Sequence, residues 1–324
     1  MKKVYIVLLS ILGFIIFVAL AAGSLLKFYF PNMDEAPKLS IKITPERIEK
    51  GRYLAYNVAV CMDCHSSRDW TTFAAPLKDN LGGGGEKFGR EMGFPGDIYS
   101  PNITPYSLGN WTDGEIYRAI TSGVNKNGDA LFPVMPYHNY GQMDQEDIFN
   151  IIAYLRSIEP IESSTPKREL DFPLNLIINT MPKEAQVKTR PSPDDQVAYG
   201  GYLVNVSGCV NCHSKRDKGS IIPGTEFGGG MEFKQVNGIV RSPNISPDKT
   251  TGIGKWTKES FVQRFKQYSD STHIPKKLGK NDFNSPMPWY MYAGMKESDL
   301  EAIYSYLKSI KPIDNPVNRY EIVK

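Results

Sequence analysis

At 324 residues and 41% hydrophobic content, the chain is long enough for two ordinary domains, each with its own core. A formal net charge of +3, with Lys and Arg scattered along the sequence, excludes a nucleic-acid surface as the organising feature. Four cysteines and four histidines are all that the chain has for thiol or imidazole chemistry.

In chain order, the first element is Val4 to Leu26, an apolar run with no charge or proline, flanked by Lys2, Lys3 and Lys27. A helix needs about 20 residues to span a bilayer, and a signal-peptide core has about 7–15. An uncleaved signal-anchor over 1–27 is expected, with the leading lysines in the cytoplasm and the rest outside it. The alternative is a long cleaved signal ending near Ala19 to Ala22, and either way the bulk of the chain is exported.

The next signal is CMDCH at 61–65, followed by the GGGG run Gly82 to Gly85. That run lacks the spacing and the Lys-Ser/Thr end of a phosphate loop and reads as a flexible loop, matched by Gly228 to Gly230. Thr112 followed by Glu115 predicts a capping box and a helix to about Ser122, where Gly123 can end it. Ile148, Ile151, Ile152 and Leu155 mark one face of a further helix, as do Leu300, Ile303, Tyr304 and Leu307 near the end. Between them Glu162 to Asp195 is rich in proline and charge and reads as a linker. Its middle, FPLNLIINTMP, is too apolar to be simply solvated and is expected to pack between the domains. No sustained period-two alternation competes with the helical patterns, so the class expected is all-α.

CVNCH at 209–213 repeats the first motif, and its surroundings repeat too. GRYLAYNVAV, SPNITP, WTDGEIYRAI, FPVMPY and DIFNIIAYLRSIEP recur in the same order as GGYLVNVSG, SPNISP, WTKESFVQRF, SPMPWY and DLEAIYSYLKSIKP. Met135 and Met287 are 152 positions apart, as are Leu155 and Leu307. The expected organisation is a 1–27 anchor, a domain at 44–161, a linker at 162–195 and a duplicate domain at 196–316.

All four cysteines and two of the histidines thus lie in two CxxCH motifs. The two thiols of such a motif are spaced to form thioethers with the vinyl groups of one porphyrin, and the adjacent histidine is placed to ligate iron. A thioredoxin-like CxxC has no following His, a zinc ribbon places its second pair roughly 15–20 residues on, and disulfides require no His at all. Two covalent haems c are expected, on Cys61, Cys64 and His65 and on Cys209, Cys212 and His213. Met135 and Met287, in matching Met-Pro-aromatic contexts before the last helix of each repeat, are the expected sixth ligands, whose soft sulfur favours ferrous iron. Met143 and Met295 read as packing residues, and Met291 has no methionine counterpart. His138 and His273 are expected at the surface or at a haem edge. Trp111 and Trp256 align, either as haem-propionate donors or as buried anchors.

These segments resemble the cytochrome c subunits of membrane-bound periplasmic alcohol, gluconate and related dehydrogenases, from about Ile48 onward. The SPNITP-plus-WTD combination is more specific than CxxCH. The resemblance implies tandem class I-like cytochrome c domains with His65–Met135 and His213–Met287 as ligand pairs. Those subunits usually have three haem domains, and this chain has two motifs. The function expected is electron transfer on the periplasmic side of the cytoplasmic membrane, between redox donor and acceptor proteins, with a periplasmic dehydrogenase subunit as donor and the respiratory chain as destination. The rival is a di-haem redox enzyme, a peroxidase or a thiosulfate-oxidising cytochrome, which would need an exchangeable sixth ligand.

Overall fold

The computed structural model describes residues 2–235, 238–269 and 274–322, so His273 lies outside the described residues. Helix α1, Lys2–Phe28, is one 27-residue apolar rod, long enough to cross a membrane, with no buried residue. The remainder forms two similar halves.

The first half is built on α2 (Pro45–Tyr53), α3 (Asp113–Ser122) and α4 (Gln145–Ser157); the second on α5 (Gln196–Val206), α6 (Lys258–Lys266) and α7 (Glu297–Ser309). The expected capping box on α3 is present, with both Thr112 and Glu115 bonded to backbone N–H groups and Gly123 left-handed at the end. Helix α4 buries Ile148, Ile151, Ile152 and Leu155, and α7 buries Leu300, Ile303 and Leu307. Each half packs its first helix across its last: α2 on α4, α5 on α7. Glycine makes both crossings close. A Cβ on Gly51 would lie 1.8 Å from the Asn150 carbonyl oxygen, and one on Gly200 1.9 Å from that of Ala302.

The first copy has one residue more than the second between this glycine and its CxxCH. A π-helical turn at Leu54–Val58 absorbs it, so that Asn57 and Asn205 still take equivalent places.

Two small three-stranded antiparallel sheets, and a hairpin pairing Arg216–Asp217 with Ser220–Ile221, amend the all-α expectation. In the first half β1 (Lys87–Phe88), β2 (Gly96–Tyr99) and β3 (Glu169–Leu170) pair in that order; in the second, β4 (Glu232–Gln235), β5 (Gly238–Arg241) and β6 (Tyr320–Glu321) do so. With four residues or fewer, these strands are too short to leave an alternating signature. In each three-stranded sheet the third strand comes from chain beyond the last helix, and in the first half that strand falls within 162–195. The apolar middle of that stretch lies beside α1. Its helical turn Leu174–Ile177 and 3-10 turn Ile178–Thr180 pack against α1, and Asn179 Nδ2 donates to the Leu26 carbonyl at 3.0 Å.

The two halves meet through reciprocal contacts. Tyr53 Oη donates to Asp299 Oδ2 at 2.6 Å, and Tyr202 Oη donates to Asp147 Oδ2 at 2.6 Å. The same hydroxyls accept the N–H groups of Lys296 (3.0 Å) and Asp144 (3.2 Å). Asn57 Nδ2 donates to the Met291 carbonyl and Asn205 Nδ2 to that of Asn139. Burial, then the carboxylate beside each, pushes both tyrosines far above their usual range, so they remain donors. A hydrogen bond to a charged group contributes about 1.5–3 kcal/mol. Asp147 also accepts from Arg190 at 2.6 Å, whereas Asp299 keeps only Tyr199 at 3.3 Å as a further side-chain donor among the described residues. Tyr53→Phe is therefore expected to lower stability by about 2–3 kcal/mol and Tyr202→Phe by less, read from denaturant midpoints.

Candidate haem-attachment sites

Each CxxCH forms a single helical turn, Cys61–Cys64 and Cys209–Cys212, entered through a left-handed residue, Val60 (φ 47°) in the first and Gly208 (φ 64°) in the second. One turn of helix puts its two sulfurs on the same side, as attachment to adjacent vinyl groups requires. All four thiols are free; Cys61, Cys64 and Cys209 are half-buried and Cys212 is exposed. Burial pushes the Cys61 and Cys209 thiols up to about 12, so neither is a thiolate at neutral pH. Among the described residues, no cluster of three His, Cys, Asp or Glu gathers to hold a bare metal ion.

The histidines are held identically. His65 Nδ1 bonds the Pro101 carbonyl at 2.7 Å, and His213 Nδ1 the Pro243 carbonyl at 2.8 Å. A carbonyl can only accept, so Nδ1 carries the proton and Nε2 keeps its lone pair. Burial lowers both imidazole pKa values, opposed by these bonds, and so favours the neutral ring that can ligate. The backbone N–H groups of Gly84 and Gly229 donate to the His65 and His213 carbonyls, each at 2.8 Å. Both glycines are left-handed, and a Cβ on either would come within 2.6 Å of backbone. Of the glycine run expected to be a flexible loop, Gly82 to Gly84 form a buried, hydrogen-bonded strap, and Gly85 is exposed.

The SPN segments supply the rest of this frame, a role that sequence reasoning missed although the repetition of SPNITP and SPNISP was the signal. Asn102 Oδ1 accepts from Thr104 N, and its Nδ2 donates to the Ile161 carbonyl; Asn244 does the same with Ser246 and Ile313. Tyr140 and Tyr292 were missed as well. Their hydroxyls donate to the carbonyls of Ala59 (2.9 Å) and Ser207 (2.8 Å), tying the turn after each candidate methionine to the residue two before the first cysteine.

Met135 and Met287 occupy matching turns, their carbonyls accepting from Tyr137 N and Trp289 N, both at 2.8 Å. Both are half-buried against the same core as Cys61 and Cys209. Met143, Met291 and Met295 are buried packing residues, and His138 is exposed, its ring 4.4 Å from that of Tyr137. Trp256 is 38% exposed, and Trp111 half-buried against the core. The halves differ in one respect beside the motif. Asp63 pairs with Arg68 at 2.9 Å, both buried, where the second half has Asn211, whose carbonyl accepts from Arg216 Nε.

Free paired thiols, a neutral imidazole with Nε2 available and a soft sulfur on the same core are the donor set that haem c takes. Comparison with known proteins agrees with this chemistry. The cytochrome c family model matches residues 197–311, which contain CVNCH and Met287. The chain is 26% identical to an alcohol dehydrogenase (quinone) cytochrome c subunit of Gluconacetobacter polyoxogenes, over 84% of this chain and 58% of that one. It is 28% identical to a fructose dehydrogenase cytochrome subunit of Gluconobacter japonicus, over 81% and 52%, and 25% identical to a diheme cytochrome c-type protein of Cereibacter sphaeroides, over 78% and 83%. The chain thus spans a little over half the length of the first two. Residues 197–311 thus form a cytochrome c domain, which implies covalent haem c, and the first relatives are cytochrome c subunits of dehydrogenases.

Proposed function

We propose that this chain is a membrane-tethered di-haem cytochrome that passes electrons on the periplasmic side from a dehydrogenase to the respiratory chain. In this reading α1 anchors it with the N-terminus in the cytoplasm. Two tandem haem domains follow, each extending from its first helix to the third strand of its sheet. Cys61 and Cys64 would attach one haem and Cys209 and Cys212 the other, with His65 and Met135, and His213 and Met287, as the iron ligands. One observation carries the proposal: the first motif has the same set of bonds as the second, which lies within the cytochrome c match. His65 with Pro101 and Gly84, and Tyr140 with Ala59, reproduce His213 with Pro243 and Gly229, and Tyr292 with Ser207.

When bound, haem c supplies one-electron iron chemistry. The protein's part would be to fix each imidazole by its proline carbonyl, to keep it neutral, and to offer the iron a methionine thioether that favours the reduced state. With both ligands supplied by the chain, peroxide or thiosulfate would have no site to bind. The dehydrogenase donor follows the relatives, which are cytochrome subunits of such enzymes.

Ligand replacement tests the reading. The oxidised protein is expected to show a far-red methionine–iron band, and its reduced form to resist carbon monoxide. Met135→Ala and Met287→Ala should each remove part of the band, lower one potential and open one haem to carbon monoxide. Carbon monoxide binding by the unaltered protein, or peroxide turnover approaching about 10 per second, would transfer the assignment to a di-haem enzyme.

A further inference from the structure

The apolar middle of the linker has an unpartnered face, and its position says what covers it. Phe172 is 79% exposed and Ile177 40% exposed, on a segment that packs against the end of α1. At the same end of α1, Leu25 and Phe28, with Tyr29 just after it, are 53%, 78% and 55% exposed. The half-buried positions in the last turns of α1, Gly23 and Leu26, share one side of the helix, and Leu26 receives the Asn179 bond. Two separate stretches of chain thus bring large apolar and aromatic side chains to one level, beside Lys27.

That level is fixed by length. The apolar run from Val4 to Leu26 slightly exceeds the roughly 20 residues that cross the hydrocarbon, so Lys27, Phe28 and Tyr29 fall at the far headgroup boundary. Aromatic side chains favour this boundary, and lysines reach from it toward the headgroups. The acidic residue next to Phe172, Asp171, is paired with Arg90 at 2.7 Å, which removes an unpaired carboxylate from the approach to an anionic lipid surface. The chain after α1 is also fastened to the first half. Glu184 accepts from Asp34 N and Asp113 from Ile41 N, both at 2.9 Å, and the Pro37 carbonyl lies so close to Gly114 that a Cβ there would fall within 1.7 Å of it.

We propose that residues 172–177 form a second membrane contact, seated in the headgroup region beside α1, which holds the first half in one orientation over the bilayer. The proposal rests on α1 being the anchor. Its occupant is a lipid surface: the covering groups must be apolar on the side of Phe172 and Ile177 and tolerant of lysine at the same height.

The test uses the full haem-loaded chain in vesicles containing phosphatidylglycerol. Phe172→Cys and Ile177→Cys each add one thiol to a protein whose own four are held as thioethers, so a nitroxide label goes to that site alone. Lys249→Cys, on an exposed turn of the second half, is the reference. The labels at 172 and 177 are expected to be more accessible to oxygen than to a water-soluble nickel chelate, and the label at 249 to show the reverse. If the protein remains membrane-bound through a high-salt wash but the labels at 172 and 177 match 249, the second contact is wrong while the anchor stands. Release of the protein by salt alone would remove the anchor, and the proposal with it.

Discussion

Changing Cys209 and Cys212 together to alanine is expected to halve the covalent haem of the protein, from two per chain to one. No other cysteine can substitute: all four lie in the two motifs, and each motif forms its own one-turn helix. Intact-mass measurement on exported protein should show two haem additions in the parent and one in this variant or in Cys61→Ala with Cys64→Ala. The second half should also lose much of its cooperative unfolding. Its connection from His213 to α6 is long and glycine-bearing, with little regular structure beyond two short hairpins, and a bound porphyrin is the mass of core such loops lack. A parent protein carrying one haem or none would refute the di-haem assignment.

Gly51→Ala and Gly200→Ala are expected to be the most damaging single-methyl additions at the two helix crossings. At 1.8 and 1.9 Å from a carbonyl oxygen of the facing helix, the new carbon meets backbone, which cannot rotate away. The helices must spread, and overpacking of this kind costs about 1–3 kcal/mol, with these two at the upper end or beyond. Gly201→Ala is the control. Its Cβ would meet only the Tyr306 ring at 3.0 Å, and the equivalent position in the first half holds Arg52. Alanine in place of glycine favours helix by about 1 kcal/mol, so this variant should be near neutral or more stable. Denaturant midpoints with unchanged slopes would decide it. Equal effects at 200 and 201 would mean that the crossing is looser than drawn.

What could be read from the sequence was what is local or repeated. Thr112 and Glu115 sit three apart and cap α3 as their spacing demands, and the apolar spacing at Ile148 and Leu300 marks helices that form where expected. The attachment motifs and their matching methionines were legible because they occur twice. Contacts between distant segments were not. Tyr53 and Asp299 are 246 positions apart, and nothing in either neighbourhood names the other. The proline carbonyls that orient His65 and His213 are backbone atoms, invisible to any reading of side chains. FPLNLIINTMP announced that it needed cover, but a short apolar run carries no information on which surface provides it. The π-turn at Leu54–Val58 was readable only by comparing the two copies residue by residue.

The reciprocal bonds between the halves, Tyr53 to Asp299 and Tyr202 to Asp147, have the pattern of an isologous dimer, in which one patch meets its own copy across a two-fold axis. Duplication has placed both partners on one chain, and pairing then no longer depends on protein concentration. The effective concentration set by a short connection is of the order of millimolar, far above that of free subunits. Once joined, the copies are free to diverge singly without losing their fit: Val60 against Gly208, Asp63 against Asn211 and the extra residue at the π-turn are changes that a homodimer would have had to accept on both sides at once.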